Sequence, residues 1–390
     1  MRIAVNTRLL LPHRLDGIGW FAAETLRRIV SAHPEHEFLF LFDRKPDSQF
    51  LFGPNVKPLV LCPQARHPVL WFLFFEWSVT RALRRHHVDL FLSPDGWMSL
   101  RTNVPTLTVI HDLNFEHAVA NLRPSHQRYM TYFFPRFARR ATRIATVSEF
   151  SKEDIATTYG IDSMKIDVVY DGAHTDYRPC SQQEQTATRA AYSDGHPFFL
   201  FVGTISRRKN LANILLAFDR YKESTGDDSL LLVVGARYQW DETLAAAYDG
   251  MRHQSSVRFL GHVESGDLAQ LMGAAIALVY TSLFEGFGIP ILEAFHAETA
   301  VITSTVTSMP EVSGDAALLV DPCSVQAIAD AMSKLASDKE LRNELIARGR
   351  VRRELFSWDR TADLLWQSLM KTIDTNHPYD STSKDNTSAS

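Results

Sequence analysis

The chain has 390 residues, 22% of them charged and 45% hydrophobic, ordinary globular usage and more length than one hydrophobic core usually serves. Lys and Arg number 41 against 45 Asp and Glu, a net charge of −4, which excludes a nucleic-acid binder built on a basic excess. Cys62, Cys180 and Cys323 are far apart and in no C-x-x-C pair, which excludes a disulfide framework or cysteine-rich zinc site and fits a reducing cytosol. The opening MRIAVNTRLLL reads without a cationic leader and apolar core. The longest strongly apolar run, Val69 to Phe75, is far short of the ~20 residues of a membrane span. A two-domain cytoplasmic protein is the expectation.

Short apolar runs alternate with amphipathic stretches along the chain. In the first half the predicted strands are Arg2–Asn6, Glu37–Phe42, Val56–Leu61, Leu90–Ser93, Thr106–Ile110, Arg143–Val147 and Ile166–Val169. Helical stretches at Gly19–Ser31, Pro68–His86, Ser125–Ala141 and Ser148–Tyr159 separate most of them. Strands separated by helices make β-α-β units, hence a parallel sheet covered on both faces. Residues 173–196 turn polar, with Gly, Pro and Gln, and read as an inter-domain connection.

The alternation then restarts. Strands at Phe198–Val202, Leu230–Gly235, Val257–Leu260, Ile276–Thr281, Val301–Thr303 and Ala317–Val320 are predicted. Helices at Leu211–Lys222, Glu242–Met251, Glu264–Ala275, Ile289–Glu298 and Val325–Ser337 lie among them. The fold class is α/β with two Rossmann-like, doubly wound domains facing across a cleft, where ligands of such sheets sit. The boundaries read as 1–172, a connection over 173–196, and 197–355; a helix over 356–374 returns toward the first domain, and 375–390 is a polar tail.

Three loops carry chemistry. Gly17 and Gly19, followed by Ala22, satisfy the G-x-G-x-x-G/A spacing of a dinucleotide turn, with Asp43 ending the next strand. A dinucleotide turn follows its strand at once, whereas Thr7–Asp16 intervenes here, so the same residues also read as an anion-binding helix start or as a plain turn. His111 follows a strand directly, where ligand-facing loops begin. Arg207, Arg208 and Lys209 lie between a strand end and a helix start, as a solvated turn or as partners for an anion. Clustered cations at a helix start oppose its dipole, a penalty that a phosphate would relieve.

The most specific segment is EGFGIPILE, residues 285–293. Gly286 and Gly288 permit close backbone approach, Pro290 suits a first helical turn, and Glu285 and Glu293 bracket the run. With the Gly17 loop, His111, VGTISRRKN at 202–210, FLGHV at 259–263 and SMPEVSGDAALLVDP at 308–322, this segment resembles the E-x7-E signature of retaining glycosyltransferases of the GT-B fold, family-4 type.

The resemblance spans about residues 1 to 370 and implies a nucleotide diphosphate sugar donor on the second domain and a saccharide or lipid-linked acceptor on the first. It implies that Glu293 binds the ribose, that Glu285 faces the donor sugar, and that Arg208 and Lys209 hold the diphosphate. Gly17 and Gly19 would add backbone N–H groups, Phe287, Gly288 and Ile289 would surround the sugar, and Val263 would meet the base. His111 and Glu285 are the catalytic candidates. No metal or other cofactor is implied, and no D-x-D motif stands out. Thr204 stands where many relatives carry Arg, so that either Arg207 substitutes for it or the Arg208–Lys209 pair suffices. GDP-mannose is the first expectation for the donor, and surface polysaccharide the setting. Helix Ser125–Ala141, with Arg128 and Arg136 among aromatics, and the aromatic run His67–Trp77 read either as core faces or as a peripheral contact with the inner face of the membrane. An NAD-dependent oxidoreductase using Gly17, Gly19 and Ala22, and a non-catalytic sugar-nucleotide-binding protein, are the rival readings.

Overall fold

The computed structural model describes residues 1–12, 15, 17–117, 122–236 and 240–374; Asp16 and the tail 375–390 lie outside the described residues. Seven strands form the first sheet: β1 (Arg2–Asn6), β2 (Glu37–Phe42), β3 (Val56–Val60), β4 (Leu90–Ser93), β5 (Thr106–Val109), β6 (Arg143–Thr146) and β7 (Ile166–Val168). Their spatial order is β3-β2-β1-β4-β5-β6-β7, all parallel. Six more form the second sheet: β8 (Phe198–Val202), β9 (Leu230–Val234), β10 (Val257–Gly261), β11 (Ala277–Tyr280), β12 (Ala300–Ser304) and β13 (Leu318–Val320). Their order is β10-β9-β8-β11-β12-β13, again parallel. Central strands such as FFLFV of β8 are buried along their whole length, because helices cover both faces of a parallel sheet.

Both sheets change direction of winding at their centres, between β1 and β4 and between β8 and β11. At such a switch the loops leaving two adjacent strands diverge to opposite faces and open a crevice at the carboxyl ends. Here the loops after β1, β4 and β5 border the same cavity as the loops after β8 and β11.

Helix Trp358–Asp374 lies beside the first domain although it follows the second in the chain. It inserts Leu365 and Leu369 into the apolar cluster that also holds Ile3, Leu92 and Val109. Thr361 Oγ1 donates to the carbonyl of Tyr170 at 2.6 Å, and Ser368 Oγ to Asp167 at 2.7 Å.

Two stretches differ from the sequence expectation. Residues 182–193, read as part of a connection, form a helix that packs on helix Ser265–Ala274 of the second domain. It lacks a broad apolar stripe and is started instead by a reciprocal capping box between Ser181 and Glu184. The predicted helix Pro68–His86 is wound in three pieces, α over Pro68–Leu73, π over Phe74–Val79 and α over Thr80–Arg85. The wide turn keeps Glu76 buried, where it accepts from the Leu100 backbone N–H at 2.9 Å.

Candidate active site

The loop after β8 makes a tight 3-10 turn over Arg207–Lys209 before helix Leu211–Thr225 begins. Asn210 lets the chain turn there: its φ is +60°, and its amide donates to the carbonyls of Thr281 (2.9 Å) and Pro322 (2.7 Å). This anchors the loop after β8 to the loops after β11 and β13. Arg208 Nη1 donates to the Phe284 carbonyl at 2.8 Å and pairs with Glu285. Lys209 Nζ donates to Glu285 Oε1 and to the Tyr280 hydroxyl, both at 2.7 Å.

Glu285 is therefore held between two cations. Burial alone would raise its carboxyl, but Arg208 and Lys209 beside it hold it down to about 2. Burial pushes the Lys209 ammonium below the usual lysine range despite Glu285. Glu285 borders the cavity between the domains while its carboxylate is paired with both cations. Its carboxylate is committed to the cation pair, because two neighbouring buried positive charges with no anion between them would be strongly unfavourable.

Glu293 lies in helix Ile289–His296, and the hydroxyl of Tyr177 donates to it. Burial pushes its carboxyl up to about 7, against the pull of Tyr177 and Lys209. Two adjoining lobes meet at Gly17, Gly203, Thr204, Ile289 and Glu293. One, about 630 Å³, is also lined by Val263, Gly235 and Tyr177. The other, about 590 Å³, holds His111, Arg208, Lys209 and Glu285.

His111 enters this second lobe from the first domain. Its Nε2 lies 2.8 Å from the Pro94 carbonyl, so Nε2 is the protonated nitrogen, and its ring meets the edge of Phe21 at 4.9 Å. Gly17 opens helix Gly17–Ala32 and borders both lobes. Gly19 is buried within that first turn. Phe287 borders the lobe but is only 3% exposed, its ring packed against Phe356 at 5.6 Å and Tyr170 at 6.2 Å. Gly288 and Ile289 complete that wall. Arg207 lines neither lobe; it borders a separate hollow with Asp241 and Cys323, so it does not take the place of the Arg missing at Thr204. Asp43, the acid required by the dinucleotide reading, is buried, paired with Arg44 at 2.6 Å and bound by the Ala65 N–H at 3.0 Å. Its side chain is 1% exposed and lines neither lobe. Among the described residues, no group of three or more His, Cys, Asp or Glu is gathered closely enough to hold a metal ion.

Sequence reasoning missed several groups. Asp95, after β4, accepts from Arg8 Nε (2.8 Å), Asn6 (2.7 Å) and Ser93 (3.1 Å) at the switch of the first sheet. The Arg8 guanidinium lies over the rings of Trp97 (5.0 Å) and Phe75 (5.7 Å). A strand-terminal Ser-Pro-Asp-Gly turn was the available signal. Glu311, in helix Met309–Ser313, accepts from the backbone N–H groups of Glu149 (2.8 Å) and Phe150 (3.1 Å) across the domains. Nothing in the sequence announced Tyr177.

Two doubly wound sheets with a cation pair and two glutamates at their facing switch points define the GT-B class of glycosyltransferase fold. Residues 15–177 match Glycosyltransferase Family 4, and residues 183–352 match Glycosyl transferases group 1. The chain belongs to this family-4, group 1 type of glycosyltransferase. It is 29% identical over 365 residues to O-antigen chain mannosyltransferase B of Escherichia coli, covering 90% of this chain and 94% of that one. Its fold is similar to that of WaaG, a glycosyltransferase involved in lipopolysaccharide biosynthesis, with a TM-score of 0.71, 17% identity and coverage of 94% and 99%. Anabaena HepE in complex with UDP-glucose gives a TM-score of 0.72 at 16% identity, with coverage of 95% and 100%.

Proposed function

We propose that this chain is a retaining hexosyltransferase that moves a sugar, first of all mannose from GDP-mannose, onto a saccharide or lipid-linked saccharide during surface polysaccharide synthesis. The observation that carries it is the Arg208–Lys209–Glu285 cluster at the meeting of the two switch points. In the transfer the bond between the anomeric carbon and the diphosphate oxygen breaks, and the acceptor oxygen bonds to that carbon. The acceptor's proton passes to the departing phosphate. Charge develops on the diphosphate, where Arg208 and Lys209 are already fixed by Glu285, Tyr280 and the Phe284 carbonyl, so little reorganisation is needed as the bond breaks. Protein cations meet the phosphate charge in this reading, without a resident metal.

Glu293 and Val263 border the lobe assigned to the nucleoside, while His111 and the Gly286–Ile289 backbone border the lobe assigned to the sugar. Glu285 and Glu293 each have a binding task, which supports departure and attack on the same face of the sugar rather than a carboxylate nucleophile. The mannose assignment is supported by the O-antigen mannosyltransferase relative. Most aromatics of 67–77 and 125–141 are core: Trp71, Phe74, Phe75, Phe134 and Phe137 are buried. Val69, Trp77 and Tyr132 remain 63%, 59% and 54% exposed, with Arg101 over Trp77 and Arg136 over Tyr132. Those exposed side chains support peripheral contact with a membrane carrying the acceptor. Among the described residues, no helix is long and apolar enough to cross one.

The test is a thermal-shift series with GDP, UDP, ADP and NAD and the sugar conjugates of the first three, followed by transfer assays. Ligands of the native state raise its melting temperature by mass action. GDP and GDP-mannose should give the largest shifts, and Lys209→Ala should cut kcat/KM about ten- to a hundredfold. A shift with NAD alone, or wild-type turnover in Lys209→Ala, would overturn the reading.

A further inference from the structure

One group at the cleft has a place but no partner. Asp171 leaves the first sheet just after β7 and is 5% exposed. It borders the same lobe as His111, Arg208, Lys209 and Glu285. Its Oδ1 is buried with no hydrogen-bond partner, and among the described residues it forms no ion pair. The backbone around it is tightly held. The Val169 N–H donates to the Thr146 carbonyl at 2.7 Å, and the Tyr170 carbonyl accepts from Thr361 at 2.6 Å. Gly172 packs so closely on helix Trp358–Asp374 that a Cβ there would lie 2.5 Å from the Trp358 nitrogen. The carboxyl is therefore presented at a fixed point of the wall and cannot swing to solvent by a loop movement.

An unpartnered buried polar group is unfavourable, and native structures rarely retain one without a use. Resting on the glycosyltransferase reading above, we propose that Asp171 is a substrate-contacting specificity residue, which completes its hydrogen bonds on a hydroxyl of a sugar bound in the cleft. Burial pushes its carboxyl well above the usual carboxylate range, which favours the protonated form. A neutral carboxyl has one O–H donor and free acceptor lone pairs, and a sugar hydroxyl has the same complement. Phosphate, which only accepts once fully ionised, finds its donors on Arg208 and Lys209 instead. The hydroxyl belongs either to the donor hexose or to the acceptor saccharide; the chemistry of recognition is the same.

The experiment uses the full chain with Asp171→Val and Asp171→Asn, measuring melting temperature without ligand, affinity for GDP and for GDP-mannose, and the KM for an oligomannoside acceptor. UDP and UDP-glucose are run in parallel. Asp171→Val should melt higher than wild type, because an unsatisfied carboxyl has been removed. It should bind the bare nucleotide as wild type does and lose about tenfold either in affinity for the nucleotide sugar or in acceptor KM. The first loss places the hydroxyl on the donor, the second on the acceptor. Asp171→Asn, with a donor and an acceptor at the same point, should recover part of that loss. Wild-type constants in Asp171→Val overturn the proposal. So does a lower melting temperature with equal losses for bare nucleotide and nucleotide sugar, which is the signature of a structural residue. Failure of the glycosyltransferase reading looks different, since the wild type itself would then bind neither nucleotide.

Discussion

Gly286 stands against the carbonyl oxygen of His111: a Cβ built on it would lie 2.3 Å from that oxygen and 2.9 Å from Asp112 Cβ. The Gly286 carbonyl in turn accepts from Ser148 Oγ at 2.6 Å and Ser151 Oγ at 3.2 Å. The loop bearing Glu285 is thus seated directly on the first domain, and no side chain fits between them. Gly286→Ala should force the two loops apart by the better part of an ångström. Displacement on that scale beside a reacting centre costs on the order of a hundredfold in rate. We expect kcat/KM for transfer to fall by about that factor while far-UV circular dichroism stays native.

Removing the anion from the cation pair should expose what the pair is for. Glu285→Gln leaves Arg208 and Lys209 buried without their counter-charge, a loss of the kind that costs about 3–5 kcal/mol when one partner of a buried pair is deleted. The ligand-free variant should melt several degrees below wild type, and pyrophosphate should raise its melting temperature more than it raises that of the wild type. Calorimetric scans with and without pyrophosphate measure both effects. Equal shifts in the two proteins would mean that the cations do not receive the diphosphate.

The same carboxyl makes stability depend on acid. Its pKa in the fold, about 2, lies below its ordinary value of 4.5, so the folded state binds fewer protons than the unfolded state between those values. Its contribution is fully present above pH 4.5 and lost as pH falls toward 2. Denaturant titrations across that window should show a smaller loss in Glu285→Gln than in wild type.

Glu293 has the opposite sign. Its pKa is raised to about 7, so the fold keeps a proton that the unfolded chain gives up from pH 4.5 upward, and stability falls as pH rises from 4.5 to about 7. A carboxylate that accepts from ribose hydroxyls must be ionised to do so with both oxygens. Affinity for GDP should therefore rise with pH up to about 7 and level off above it. In Glu293→Gln the binding should be weaker and that pH step absent, as isothermal titration calorimetry at several pH values would show.

Glu311 caps a helix that belongs to the other domain. Its two oxygens take the first N–H groups of helix Glu149–Tyr159, where a negative charge also complements the helix dipole. Glu311→Ala should lower stability by about 1 kcal/mol, the usual loss for a cap. It should also loosen the seating of Gly286. The donor KM should rise more than kcat falls, and small-angle scattering should give a larger radius of gyration for the ligand-free variant.

The doubly wound class of both domains, the placing of His111, Arg208, Lys209 and Glu285 at carboxyl-end loops, and that of Glu293 in the helix that follows were legible in the chain because apolar runs and turn residues are local signals; the spatial order of the strands was not. The helix over Gln182–Ser193 was legible too, in its Ser181–Glu184 capping box, though its polar face disguised it. The partners of each side chain were not legible. That Glu285 binds its own cations at the edge of the cleft, that Arg207 lines a separate hollow, and that Asp43 is paired with Arg44 depend on which loops the two switch points bring together. Local sequence thus determined the class of fold and the chemical inventory of the site. Tertiary structure alone decided the charge state of that inventory. Burial and the distance to an opposite charge or hydrogen-bond donor set a pKa, and both arise only when residues far apart in the chain meet, as Glu285 meets Arg208, 77 positions away, or Glu293 meets Tyr177.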